Sequence, residues 1–158
     1  MMSKFPAAGD AFPDIALETP DGGSVKVSDF KGRKLVVFFY PKDNTPGCTM
    51  EAKDFTALKP QFDNAGVALL GVSKDSPKKH LGFIAKHDLT MPLASDAESG
   101  GLSDKLGIWT EKQNYGRTYM GMVRTTYLVD ADGIIARVWD KVRVKGHAGE
   151  VLEAAKAL

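Results

Sequence analysis

The sequence predicts an α/β fold, a central mixed sheet flanked by helices with a β-hairpin at its N-terminal edge. Three observations carry that expectation. Residues 35–72 read as strand, helix, strand, and both strands are continuous apolar runs of the kind covered on two faces. Residues 125–139 read as two strands around a polar turn, an antiparallel pair. Val151, Leu152, Ala154, Ala155 and Leu158 form the apolar stripe of a closing helix.

Each element has its own signal. Ile15-Ala16-Leu17 and Val25-Lys26-Val27 flank Asp21-Gly22-Gly23, residues that adopt positive φ cheaply, so an edge hairpin is expected there. Leu35-Val36-Val37-Phe38-Phe39-Tyr40 is a buried strand that ends at Pro41. From Gly47 to Asn64 the pattern turns helical, with Cys48, Ala52, Phe55, Leu58 and Phe62 along one face and Gly66 as the stop. Val67 to Val72 is the second strand, parallel to the first by a right-handed crossover. Ser76 as N-cap and Pro77 in the first turn open a helix to about His87. The stretch 99–122 is Gly-rich and polar, and reads as a long loop with one short helix that walls the site. Thr125–Val129 and Ile134–Trp139 enclose the turn Asp130-Ala131-Asp132-Gly133. Lys141, Arg143 and Lys145 alternate with Val142 and Val144, the face pattern of a half-exposed strand. The order β-α-β-α-β-β-α resembles the thioredoxin fold, which by itself specifies no function.

Composition bounds the function classes. A chain of 158 residues suits a single domain spanning 1–158 with a core that needs no disulfide, metal or obligatory partner. With 26% charged residues and a net charge of +1, there is no bulk attraction toward nucleic acid or an anionic membrane. The N-terminus lacks a signal-peptide core and no apolar run approaches the roughly 18 residues of a membrane span, so a cytoplasmic location is expected. The single cysteine excludes an internal disulfide, a cysteine-rich zinc site and a CxxC dithiol mechanism.

That cysteine, Cys48, sits at a strand-to-helix junction, where open α/β folds place ligands. Pro46 suits a first helical turn and Thr45 an N-cap, which puts Cys48 in the first turn at the positive end of the helix. The thiolate is the nucleophile, and a helix N-terminus with a nearby cation favours it. Thr45 and the first-turn N–H groups offer donors for charge developing on a departing oxygen. A free cysteine is also commonly a buried hydrophobe, and Cys48 shares the apolar face of Ala52 and Phe55. The residues alone leave both readings open.

The string PKDNTPGCTMEA, Pro41 to Ala52, resembles the peroxiredoxin motif P-x-x-x-T-x-x-C in the form of the bacterioferritin comigratory protein (PrxQ) subfamily. YGRTYMGMVRTTYLVD, 115–130, is similar to its second signature block, and the likeness runs from about Phe12 through GHAGEVLEA near the end. The resemblance implies that Cys48 is the peroxidatic cysteine attacking hydrogen peroxide and alkyl hydroperoxides. Thr45 would hydrogen-bond the thiolate and peroxide, Pro41 would shield the thiolate from water, and Arg124 would approach the sulfur from a distant segment. No metal or organic cofactor is implied, and a monomer is the subfamily's expectation. Where many members carry a resolving cysteine five residues on, this chain has Lys53. The resemblance therefore implies a one-cysteine cycle through a sulfenic acid, reduced by an external thiol such as thioredoxin, glutaredoxin or glutathione. The competing class is a thioredoxin-like binding or chaperone module with a structural cysteine.

Other chemistry-bearing residues have plainer readings. His80 and His87 lie seven apart, not at the spacing of a paired metal site, and His147 precedes the last helix, where capping or a surface position is expected. Trp109, Tyr115, Tyr119 and Trp139 read as core or pocket wall.

Overall fold

The structure, a computed structural model, describes residues 6–96 and 100–158. Residues 1–5 of the N-terminal stretch and residue 99 of the expected loop lie outside the described residues.

Two apolar strands dictate the centre. β3 (Lys34–Phe39) and β4 (Val67–Ser73) pair in parallel, Val36 beside Leu69, joined by α1 (Pro46–Asn64). β8 (Thr125–Val129) lies antiparallel on the other side of β3, and β9 (Ile135–Trp139) follows it through the expected turn. A further strand, β5 (Leu93–Ser95), adds in parallel to β4 and accepts the N-terminal hairpin. That hairpin is β1 (Leu17–Glu18) with β2 (Ser24–Val25), and the sheet order is β2-β1-β5-β4-β3-β8-β9. The mixed sheet and edge hairpin are as the sequence predicts. β5 escaped notice because three residues are too few to show a period.

Side-chain alternation on β3 divides the core. Val36, Phe38 and Tyr40 face a cluster with Phe55, Phe62, Phe83, Val151 and Leu152, contributed by α1, α2 (Pro77–His87) and α4 (His147–Ala157). Leu35, Val37 and Phe39 face the opposite cluster with Phe12, Leu102, Leu106 and Tyr127. Both faces of the sheet are therefore covered, which is why the strand shows no polar residue after Lys34. Gly71 of β4 is tightly enclosed. A Cβ there would lie 2.8 Å from Phe38 Cζ and 2.9 Å from Leu93 Cδ2.

Three expectations need correction. The stretch read as a loop holds the short helix α3 (Leu102–Leu106) but also a separate antiparallel hairpin, β6 (Trp109–Asn114) and β7 (Arg117–Met122). Its strands are polar because much of β7 is exposed, so the apolar signal of a strand is missing. Tyr115, at φ 52° in its turn, is 97% exposed and Tyr119 is also exposed, so neither is core or pocket wall. Residues 141–145 alternate in exposure as read, but they pair with no strand and run irregularly into α4.

Candidate active site

α1 starts as its sequence dictates. Thr45 is extended at φ −86° and ψ 153°, Pro46 occupies the first helical position, and the Thr49 N–H donates to the Thr45 carbonyl at 2.9 Å. Cys48 is the third helical residue and 1% exposed, packed in the cluster of Tyr40, Ala52 and Phe55. Its sulfur sits within the first turn, where the unpaired N–H groups make the field positive.

The cation arrives from the neighbouring strand. β3 and β8 are in register with Phe39 opposite Thr125, which brings Arg124 alongside the end of β3 where the loop to α1 begins. Arg124 Nη2 donates to Cys48 Sγ at 3.3 Å, and Nη1 donates to Glu51 Oε1 at 2.6 Å. Cys48 and Glu51, three apart on one helix face, are thus bridged by a single guanidinium. Gly47 makes the approach possible, since a Cβ there would stand 3.2 Å from Nη2.

Electrostatics at this cluster are set by burial. Glu51 is 1% exposed and its carboxyl is pushed up to about 7, burial outweighing the pull of Arg124 in the other direction. Among the described residues its Oε2 has no hydrogen-bond partner, consistent with a carboxyl that readily keeps a proton. Burial works against the charge on Arg124, but Glu51 and Cys48 together outweigh it and hold its pKa above the ordinary value. Lys112 on β6 donates to the Met122 carbonyl, and its pKa is lowered by burial and then by Arg124, while Cys48 acts in the opposite sense. The unexpected hairpin is therefore electrostatically coupled to the sulfur.

The other expected site residues are nearby in a different arrangement. The Thr45 hydroxyl donates to the Lys42 carbonyl at 2.8 Å and does not cap the helix. Pro41 is exposed and lines an open cleft with Lys42, Lys74, Asp75 and Trp109, in which Cys48 takes no part. Lys53 is exposed on α1. His147 is buried, not at the surface; its Nε2 meets Thr126 Oγ1 at 2.8 Å, and burial lowers its pKa. Among the described residues no group of three or more His, Cys, Asp or Glu is placed to hold a metal ion.

Sequence reasoning missed two features. Glu51 lay inside the quoted motif, and its only signal was its position one turn after Cys48. The second is a buried cluster of Tyr40, Asp43 and His80 beneath the loop from β3 to α1.

With that geometry in hand, comparison with known proteins decides the family. The AhpC/TSA family model matches residues 8–138. The chain belongs to the AhpC/TSA family. Within it, the chain is 43% identical over 148 residues to peroxiredoxin Bcp of Bacillus subtilis, covering 94% of each protein. A solved structure of Xanthomonas campestris peroxiredoxin Q superposes with a TM-score of 0.88 at 42% identity, covering 95% of this chain and 97% of that one. A structure concerned with alkyl peroxide reduction by the Xanthomonas campestris bacterioferritin comigratory protein matches with a TM-score of 0.85 at 41% identity, over 94% and 98% of the two chains. Other solved forms of the Xanthomonas protein carry serine for cysteine at two different positions, so that AhpC/TSA member has at least two cysteines where this one has one. The expected thioredoxin-like fold is thus shared with AhpC/TSA relatives along nearly their whole length.

Proposed function

We propose that this chain is a thiol-dependent peroxidase that reduces hydrogen peroxide and alkyl hydroperoxides at Cys48 and is recycled by an external thiol. The observation that carries the assignment is the 3.3 Å contact between Arg124 Nη2 and Cys48 Sγ, made by residues 76 apart in sequence. Arginine stays protonated and cannot act as a base, so its role at a sulfur is to stabilise negative charge.

In the proposed reaction the Cys48 thiolate attacks one peroxide oxygen. An S–O bond forms, the O–O bond breaks, and the departing alkoxide or hydroxide takes up a proton, leaving Cys48 sulfenic acid and an alcohol or water. Arg124 faces the charge as it moves from sulfur to oxygen. The Thr45 proton is committed to the Lys42 carbonyl, which leaves its oxygen to accept a hydrogen bond from the peroxide O–H. Pro41, at the start of the same loop, is assigned the shielding of the thiolate by its place in the motif.

Recycling follows from cysteine count. A first external thiol condenses with the sulfenic acid to a mixed disulfide and water, and a second releases Cys48 and a disulfide of the reductant. Thioredoxin, glutaredoxin and glutathione all have the required chemistry, and a single-cysteine enzyme that depends on them suits a reducing cytoplasm and can work as a monomer. Mass spectrometry of Cys48 after stoichiometric peroxide, with and without a sulfenic-acid trap and then with each reductant, tests both halves. Rapid trapping followed by thiol-dependent recovery is expected. A Cys48 no faster than a free thiol in solution would refute the assignment.

A further inference from the structure

We propose that the buried His80–Asp43 pair is a positioning device for peroxide attack, fixing the loop so that the Thr45 hydroxyl is held in one orientation at the start of α1. The inference rests on the peroxidase reading above.

His80, on α2, is fully buried, and both ring nitrogens are engaged. Nε2 lies 3.0 Å from the Ala94 carbonyl of β5, and Nδ1 lies 2.7 Å from Asp43 Oδ2. A carbonyl only accepts, so Nε2 carries a proton, and the Nδ1–Oδ2 contact requires a second proton between the two atoms. The Tyr40 hydroxyl donates to the remaining carboxyl oxygen, Oδ1, at 2.6 Å. Tyr40 stays a donor because burial and then Asp43 hold its pKa well above the ordinary value. Every side-chain oxygen of Asp43 is thereby tied to the rigid end of β3 and to α2.

The backbone of Asp43 is tied as well. Its N–H donates to Asp75 Oδ2 at 2.8 Å, and that oxygen also accepts from the Ser73 hydroxyl at 2.7 Å. The same peptide unit contributes the Lys42 carbonyl that accepts the Thr45 hydroxyl at 2.8 Å. One peptide plane is thus held at its N–H end by Asp75 and sets the Thr45 hydroxyl at its carbonyl end. Asn44, next along the loop, stands at φ 63° and meets His87 Nε2 at 3.2 Å, a second tie to α2. A buried acid–imidazole pair contributes little net stability compared with well-packed apolar residues, so its value here lies in where it holds the loop.

The test is a double-mutant cycle of Thr45→Val and His80→Gln, reading the second-order rate of Cys48 oxidation by hydrogen peroxide beside the rate of its alkylation by iodoacetamide. Loss of one orienting hydrogen bond predicts a fall of about tenfold in the peroxide rate for His80→Gln. Alkylation should change less than about threefold, because it does not use the Thr45 oxygen. In the Thr45→Val background, His80→Gln should cost nothing further. Equal losses in both reactions, additive effects in the cycle, or an unchanged peroxide rate would overturn the inference. If His80→Gln fails to fold, Asp75→Asn, which weakens the hold on the same peptide without opening the core, takes its place with the same expectations. A wild-type Cys48 that is slow with peroxide would defeat the peroxidase reading itself, an outcome distinct from fast, unaffected variants.

Discussion

Replacing Arg124 by methionine keeps much of the stem and removes the charge. Across 3.3 Å, a full thiolate–guanidinium attraction at an effective dielectric constant of about 20 reaches roughly 5 kcal/mol, a ceiling before hydration is counted. A charged hydrogen bond nets about 1.5–3 kcal/mol, which predicts a roughly 10- to 150-fold fall in the rate of Cys48 oxidation by peroxide. The variant also strands Glu51, but that carboxyl titrates at about 7 even beside Arg124 and rises further without it. An acid whose folded pKa is raised contributes most to stability below its unfolded value of 4.5, and the contribution falls until pH passes the folded value. In the wild type the fall ends near pH 7; in Arg124→Met it continues. The stability gap between them should therefore be about 1 kcal/mol wider at pH 8 than at pH 6. Stopped-flow oxidation and urea unfolding at both pH values measure the two effects. A rate loss below about threefold, or a gap that does not change with pH, refutes the reasoning.

Cys48→Ser should abolish peroxide turnover while changing the unfolding midpoint little, and excess peroxide should drive the wild type to a sulfinic acid that thiols do not restore, read as the mass of two added oxygens. Gly47→Ala places a Cβ 3.2 Å from Arg124 Nη2, so the guanidinium must yield by a few tenths of an ångström. The peroxide rate should fall severalfold, with stability kept by alanine's better helix propensity, and unaltered kinetics would show that the approach is not tight. Gly71→Ala meets Phe38 and Leu93 below 3 Å in the packed core and should cost about 1–3 kcal/mol in urea unfolding with the sulfur chemistry intact.

What the sequence made legible follows from period and punctuation. β3 and β4 are unbroken apolar runs, and α1 is bracketed by Thr45-Pro46 and Gly66, so the βαβ unit and the place of Cys48 were both readable. The β6–β7 hairpin was not, because its exposed residues carry no alternation of apolar and polar types. Within the site, Arg124 Nη2 lies 3.3 Å from Cys48 Sγ, although no local rule brings residues 48 and 124 together. Their contact depends on the register of β3 with β8. Glu51 and His80 were illegible for a different reason. Neither a glutamate on a helix nor a histidine near a helix start carries a sequence signal of burial, and only the fold shows that they are buried and paired.

The burial that made an inert Cys48 plausible also gives Arg124 its effect, because a charge contact gains strength where water is excluded. Glu51 makes that effect pH-dependent. Above about 7 the carboxylate draws on the same guanidinium as the sulfur; below it the neutral acid leaves the cation facing Cys48. Glu51→Gln fixes the neutral state while keeping an oxygen to accept from Nη1. The ratio of its peroxide rate to that of the wild type should be near one at pH 6 and rise in favour of glutamine above pH 7. A ratio independent of pH would mean that Glu51 only orients Arg124, and that its proton has no part in setting the charge at the sulfur.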